Sequence, residues 1–158
     1  MFIGCTSLTT APQLPATSLV DSCYREMFAE CTSLTTAPEL PATTLADSCY
    51  SSMFEGCSKI DRIVWKSTEI PSSSYCRGWL SGTSASGKFE YTDPTLDVAS
   101  ITRDSNGVPA GWSISLLSQE TKLLLKINNA SVDNISLVGK KIVSLSINGK
   151  KVKSSSAA

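Results

Sequence analysis

The chain opens on a sequence repeat, which restricts the possible folds more than any other feature. MFIGCTSLTTAPQLPATSLVDSCYRE (1–26) aligns without gaps to MFAECTSLTTAPELPATTLADSCYSS (27–52), and 19 of the 26 positions are identical. A third copy begins as MFEGC (53–57) and then diverges. Such a repeat cannot bury an apolar face alone, so we expect the copies to stack as successive coils.

The period also lies within the range of leucine-rich repeats, about 20–29 residues. Within one copy, Pro38 and Pro41 exclude a helix over 33–39 and favour a short extended stretch. A short helix is predicted from about Ser48 to Glu55, with Asp47 as its cap and Gly56 in a left-handed position after it. The predicted fold class is an α/β solenoid of coils of about 26 residues, each a short parallel strand plus a short helix.

The six cysteines follow the same spacing. Cys5, Cys31 and Cys57 form one series, and Cys23, Cys49 and Cys76 form the other. An even number of regularly spaced cysteines is compatible with disulfides, but three members of one series cannot all pair with each other. The alternative is buried free thiols that pack as small apolar groups. The lack of histidine and of a C-x-x-C motif argues against a metal site.

The repeat closely resembles the BspA-like leucine-rich repeats of surface proteins from gut and oral bacteria, most specifically over residues 27–57. The resemblance continues to about residue 116 through segments that match the terminal cap of those arrays. It implies a C-terminal β cap over about 76–116 and an extracellular recognition module, with adhesion as the usual role. Similar repeats also occur in phage tail and fibre proteins. The matching cap positions are Trp79, Leu80, Gly82, Gly87, Phe89, Gly107, Pro109, Gly111 and Trp112.

Charge divides the chain into two predicted domains, although its formal net charge is zero. Residues 1–120 carry 7 basic and 13 acidic groups, whereas 121–158 carry seven lysines and one aspartate. We therefore predict a solenoid with its cap over 1–118 and a small Lys-rich β segment over 119–158. That segment repeats 135–144 as 145–154, with Asn-Gly as a hairpin signal. Its lysines either protect edge strands from unwanted pairing or dock an acidic partner. The zero net charge of the chain and the lack of aromatic residues after Trp112 argue against nucleic-acid binding.

Catalytic patterns are weak throughout the sequence. Histidine is absent, which removes the common nucleophile systems and general base, and Ser84 lies in an incomplete G-x-S-x-G motif. Asp93 and Asp97 could form a carboxylate pair, but the surrounding Pro, Ser and Gly residues indicate a solvated loop. We predict that the protein is not an enzyme and has no cofactor or metal. No apolar run is long enough to span a membrane.

Candidate binding residues are strand positions that stack in line from coil to coil and whose residue type changes between the copies. We predict two series on the repeat surface, and Arg62 and Trp65 are the residue types found most often as interface anchors. The alternative is that Trp65 packs under the cap and Arg62 pairs with Glu39. The two series are Thr10, Thr36 and Arg62, and Gln13, Glu39 and Trp65.

The predicted function is recognition or adhesion through the repeat surface, which would bind a protein or glycan on a host or bacterial surface. The alternative is a structural or receptor-binding part of a phage tail or fibre, docked through the C-terminal β segment. The predicted location is the bacterial cell surface or, in the alternative, the virion. The first coil has no preceding coil in this sequence to cover it, so we also expect either further upstream repeats or a second chain, as a second copy or a virion partner, to cover residues 1–20.

Overall fold

The computed structural model describes residues 1–117 together with the backbone of three later strands. Its contacts divide the chain into two compact units, Met1–Leu116 and Leu117–Ala158. The predicted boundary between 118 and 119 lies close to this division.

A three-stranded parallel sheet forms the regular part of the first unit, in the order β1–β2–β3. The strands are β1 (Arg62–Trp65), β2 (Gly87–Tyr91) and β3 (Trp112–Leu116). One short helix, α1 (Ser73–Cys76), and a single 3₁₀ turn (Val98–Ser100) lie between them. In register, Ile63 pairs with Phe89 and Phe89 with Ile114, so these side chains share one face of the sheet.

The two earlier copies do not form strands of this sheet, and among the described residues they are joined in parallel only by single bridges. Thr10 pairs with Thr36, and Leu40 pairs with Trp65, both in parallel. The backbone of the second copy is interrupted by Pro38 and Pro41, which lack the N–H that a continuous ladder needs. The third copy has Ile, Val and Trp at the corresponding place and no proline, so β1 forms there as a full strand.

The predicted helix over Ser48–Glu55 is wrong. Residues 47–56 form consecutive turns, and the corresponding residues 21–30 do the same. N–H groups of even-numbered residues donate to the following coil, over 2.7–3.0 Å, whereas those of odd-numbered residues donate to the carbonyl three residues back. Ser48 and Ser52 have φ values of 53° and 51°, which a right-handed helix does not contain. Within residues 1–117, which the structure describes, the only α-helix is α1, one turn in the third copy.

We call this arrangement the turn ladder: the backbone of 21–30, 47–56 and 74–82, joined coil to coil. Its hydrogen bonds all point the same way, because each coil donates N–H groups only to the coil that follows it. The donor and acceptor pairs are Ser22–Asp47, Tyr24–Cys49, Glu26–Ser51, Phe28–Met53, Glu30–Glu55, Ser48–Ser74, Tyr50–Tyr75, Ser52–Arg77, Phe54–Trp79 and Gly56–Ser81.

Left-handed residues recur at several equivalent positions of the coils, and one of these positions is left-handed four times in succession. Gly4, Glu30, Gly56 and Gly82 have φ values of 68°, 60°, 74° and 73°. The left-handed conformation predicted for Gly56 is therefore present, and Glu30 adopts it despite its side chain. Non-glycine residues rarely adopt this conformation, so the hydrogen bond from the Glu30 N–H to Glu55 O, 2.7 Å long, helps to hold it.

Aromatic side chains stack through the core with the same period. The rings of Phe2 and Phe28 lie 5.6 Å apart, those of Phe28 and Phe54 lie 5.8 Å apart, and the planes are within 8° of parallel. Tyr24 stacks on Tyr50 in the same manner, with centroids 6.2 Å apart. Equal residues in successive copies thus meet face to face.

Two tryptophans close the C-terminal end of the first unit. Trp79 is fully buried and donates from Nε1 to Gly107 O over 2.8 Å; Trp112 donates from Nε1 to Ser84 O over 2.8 Å. Asn106 accepts the Gly78 N–H on Oδ1 over 2.9 Å, so its side chain takes the place of a following coil at that point of the turn ladder.

The four inner cysteines are buried, as predicted for Cys31 and Cys57, and all six are free thiols. Cys31 Sγ donates to Phe2 O and Cys57 Sγ donates to Phe28 O, each over 3.0 Å. Burial raises the pKa of Cys57 to about 12, and it also raises the pKa of Cys31. These thiols are protonated core groups that join one coil to the preceding one.

The second unit contains an antiparallel sheet of β4 (Val132–Val138), β5 (Lys141–Ile147) and β6 (Lys150–Lys151). Val138 pairs with Lys141, and Ile147 pairs with Lys150. The expectations for the lysine side chains fall outside the described residues.

Candidate functional site

We call the sheet β1–β3, together with the bridges Thr10–Thr36 and Leu40–Trp65, the strand ladder. Its outer face carries exposed polar side chains. Thr10 is bridged to Thr36, Arg62 pairs with Lys88, and Lys88 pairs with Ser113. All five are exposed. Because alternate strand residues point to opposite sides, Arg62 and Lys88 lie on the face of the sheet opposite the buried residues Ile63 and Phe89.

A shallow cleft of about 470 Å³ lies at the C-terminal end of this outer face. It offers a carboxylate, a guanidinium, an ammonium and two hydroxyl groups, and it contains both signs of charge. Such a set donates and accepts hydrogen bonds but has no nucleophile–base pair. The cleft is lined by Asp61, Arg62, Ser86, Gly87, Lys88 and Ser113.

Arg62 is held in the cleft by an ion pair. Its Nη2 lies 2.5 Å from Oε2 of Glu90, an oxygen buried from solvent that makes no aligned hydrogen bond. At this distance the guanidinium charge compensates the charge of the buried carboxylate. The predicted partner of Arg62, Glu39, instead pairs with Lys66 at 2.5 Å.

Unlike that of Arg62, the side chains of Lys88 and Asp61 are not held by an ion pair in the described part of the chain. Among the residues that the structure describes, neither the Lys88 ammonium nor the Asp61 carboxylate has a hydrogen-bond or ion-pair partner. Their main chains are joined, because the Lys88 N–H donates to Asp61 O over 2.7 Å. The cleft therefore offers one unpaired cation and one unpaired anion to a ligand.

The prediction of Trp65 as a surface binding residue is wrong. Its side chain is fully buried between Tyr50, Trp79 and Phe89, at centroid distances of 5.4–5.9 Å, and Nε1 donates to Glu69 O over 2.9 Å. The alternative expected for it, packing near the cap tryptophan, is the observed one.

A shift of register explains the error over Trp65. The repeat period places Trp65 beside Glu39, but the structure pairs it with Leu40, one position later, so it occupies a core position. Glu39 and Gln13, placed in the same series, are exposed, but neither lines the cleft. Thr10, Thr36 and Arg62 are all exposed, but only Thr10 and Thr36 are bridged to each other, and Trp65 is buried.

Sequence reasoning missed the other cleft residues. Lys88 continues the series 10, 36 and 62 at the same interval, so the repeat spacing contained the signal. Ser113 follows Lys88 at one position short of that interval. Asp61 and Ser86 have no comparable signal, because only the approach of β1 to β2 makes them neighbours.

The acidic residues of the cap loop stabilise turns. Asp93 Oδ1 accepts from the Thr95 hydroxyl and N–H over 2.7 and 2.8 Å, which lowers the pKa of Asp93. Asp104 Oδ1 accepts from the N–H groups of Asn106 and Gly107, and these bonds lower its pKa. Asp97 accepts from Ser100 Oγ over 2.5 Å.

The described part of the chain holds no group of three or more Cys, Asp or Glu residues placed to bind a metal ion. No helix in it is both long and apolar enough to cross a membrane.

Comparison with protein-family models, with curated proteins and with solved structures finds no match to this chain.

Proposed function

We propose that this protein is a non-enzymatic recognition module of the leucine-rich-repeat type, which binds a protein or a glycan through the outer face of its strand ladder. The observation that supports this best is the polar cleft between Asp61, Arg62, Lys88 and Ser113. It lies at the end of a row of exposed side chains. The bridged residues Thr10 and Thr36 of the earlier coils are also exposed, so a ligand longer than the cleft has further hydroxyl groups to contact.

The chemistry of the cleft favours a ligand rich in hydroxyl or amide groups. Lys88 donates, Asp61 accepts, the Ser86 hydroxyl does both, and the Ser113 hydroxyl, which donates to Gly87 O over 3.3 Å, accepts. Sugar hydroxyls and peptide groups need this mixture, whereas a purely anionic ligand would meet Asp61. Specific sites generally rely on a few well-placed polar groups of this kind.

The resemblance to BspA-like repeats supports an extracellular location and an adhesive role on a host or bacterial surface. The alternative is a tail or fibre component of a phage, docked through the segment that contains β4, β5 and β6. Immunogold labelling of intact bacteria and of purified virions distinguishes the two locations.

The test of binding is a labelled full-length chain added to intact bacterial and host cells and to a glycan array. Pretreatment of the cells with protease or with glycosidases separates a protein ligand from a glycan. We expect Lys88→Ala to reduce binding at least several-fold, since one charge-assisted hydrogen bond contributes about 1.5–3 kcal/mol.

The matched control is Lys59→Ala, because Lys59 is exposed but lies outside the cleft. Arg62→Ala is less informative, since it leaves Glu90 buried without its counter-charge and lowers stability. Lack of binding to every cell type and glycan, or equal binding by the Lys88 and Lys59 variants, contradicts the proposal.

A further inference from the structure

The N-terminal end of the first coil exposes side chains whose counterparts in the second coil are buried. Cys5, Cys23 and Ile3 are exposed, whereas Cys31 and Cys49 are fully buried and Ala29 is 8% exposed. Phe2, Leu8 and Tyr24 are half-buried, whereas their counterparts Phe28, Leu34 and Tyr50 are at most 1% exposed. Since the two copies are nearly identical in sequence, the difference arises from coverage and not from composition.

The structure shows what covers such a surface. The same face of the second coil is covered by the first coil: Phe2 stacks on Phe28, Tyr24 stacks on Tyr50, and Phe2 O accepts the Cys31 thiol. We call the corresponding surface of the first coil the open face. The open face therefore resembles, in shape and composition, the face of the second coil that the first coil covers.

Backbone polarity restricts the occupant further. In the turn ladder each coil receives hydrogen bonds from the coil that precedes it, and in the second coil the acceptors are the carbonyls of the odd-numbered residues from 47 to 55. The equivalent carbonyls of the first coil accept no backbone hydrogen bond within the described residues. The open face therefore presents a row of acceptors, at Met1, Ile3, Asp21, Cys23 and Arg25.

A row of acceptors cannot pair with its own copy. Two chains that meet by their open faces would oppose carbonyl to carbonyl, and the buried carbonyls would lack donors. Head-to-tail stacking of two copies is also obstructed, because Asn106 and Gly107 already bind Gly78 and Trp79 at the other end.

We propose that the open face docks a polypeptide coil of the same repeat pattern, presented with its row of N–H groups free, and that it does not join two copies of this chain. The incoming coil would donate to the carbonyls of Asp21, Cys23 and Arg25 and cover Phe2 and Tyr24. This proposal is independent of ligand binding in the cleft, which lies on another surface of the first unit.

The experiment uses the full chain with one additional copy of residues 27–52 joined before Met1, compared with the unextended chain. The readout is the rate at which each thiol of the native protein reacts with iodoacetamide, resolved by peptide mass spectrometry. We expect alkylation of Cys5 and Cys23 to fall to the rates that Cys31 and Cys49 show in the unextended chain.

Two controls isolate docking. An extension of the same length and composition in scrambled order should leave Cys5 and Cys23 reactive. Leu8→Arg in the extended chain should restore their reactivity, since its counterpart Leu34 is fully buried in a covered coil, whereas Thr44→Arg should not, because Thr44 is an exposed residue of the second coil.

Equal protection by the native and scrambled extensions, or no protection by either, overturns the proposal. So does a dimer of the unextended chain in which Cys5 and Cys23 become protected as the concentration rises, because the acceptor row excludes that contact.

Discussion

The ring of Phe28 lies parallel to the ring of Phe54, with centroids 5.8 Å apart and planes inclined by 5°. The two residues hold the same place in successive copies, and Phe2 stacks on the other side of Phe28. One residue type thus has two different environments in this chain, since Phe28 is covered on both faces and Phe2 on only one.

This pair of environments allows a direct test of coil stacking. Phe28→Ala should lower the free energy of unfolding by about 3–5 kcal/mol, as expected for a fully buried aromatic side chain. Phe2→Ala should cost about half of that or less, because Phe2 is only half-buried. Urea unfolding followed by tryptophan fluorescence measures both values. Equal losses would mean that the first coil is not the exposed end of the stack.

The thiols should divide into two classes in the native protein. Cys5 and Cys23 are exposed and should react rapidly with iodoacetamide under reducing conditions, whereas Cys31, Cys49, Cys57 and Cys76 are buried and should react only on unfolding. Cys31→Ala should cost roughly 1–2 kcal/mol, since it removes a small buried group and its hydrogen bond to Phe2 O. Six oxidised cysteines in freshly purified native protein would contradict this arrangement.

Stability should fall in alkaline solution. Burial raises the pKa of Cys57 to about 12 in the folded chain, whereas an exposed thiol titrates at about 8.5. The folded state therefore favours the protonated thiol. The resulting stabilisation is complete below the pKa of the unfolded state and is lost as the pH rises towards that of the folded state.

Chemical denaturation across this pH range, with reductant present, measures the effect. We expect the unfolding free energy to be level near neutral pH and to decline above about pH 9. Cys57→Ala should make the decline less steep, whereas Cys5→Ala should not, because Cys5 is exposed. An identical pH profile for the Cys57 variant and the parent chain would show that the buried thiol is not responsible.

Gly87 is required where β1 approaches β2. A Cβ atom at this position would lie 2.5 Å from Asp61 O and 2.6 Å from the Trp112 ring. Neither the backbone carbonyl nor the buried ring can move freely, so Gly87→Ala should destabilise the protein by about 1–3 kcal/mol. Thermal unfolding measures the change. Ser86→Ala is the control, since Ser86 is exposed, and a Gly87 variant as stable as that control would contradict the packing described for this strand pair.

Part of the candidate site could be predicted from spacing alone. Residues 10, 36 and 62 were placed in one series because they repeat, and they lie exposed on the strand ladder. Lys88 carries the same signal at the next interval. Trp65 was misplaced because a period gives the average offset between coils, whereas the bridge from Leu40 falls one position short of that period. One residue of shift moves a strand side chain from the surface to the core.

By itself, the sequence determined which residues repeat, and equal spacing places Phe2, Phe28 and Phe54 in equivalent positions. It also determined the interruptions, since Pro38 and Pro41 lack the N–H groups of a continuous strand. Only the tertiary structure decided that residues 47–56 form turns in place of a helix. Their N–H groups can donate to a carbonyl in the same coil or to one in the next coil. The second kind of hydrogen bond forms only when the next coil is stacked close enough for its carbonyls to accept. The partner of Arg62 was decided in the same way, because Glu90 becomes its neighbour only when β2 pairs with β1.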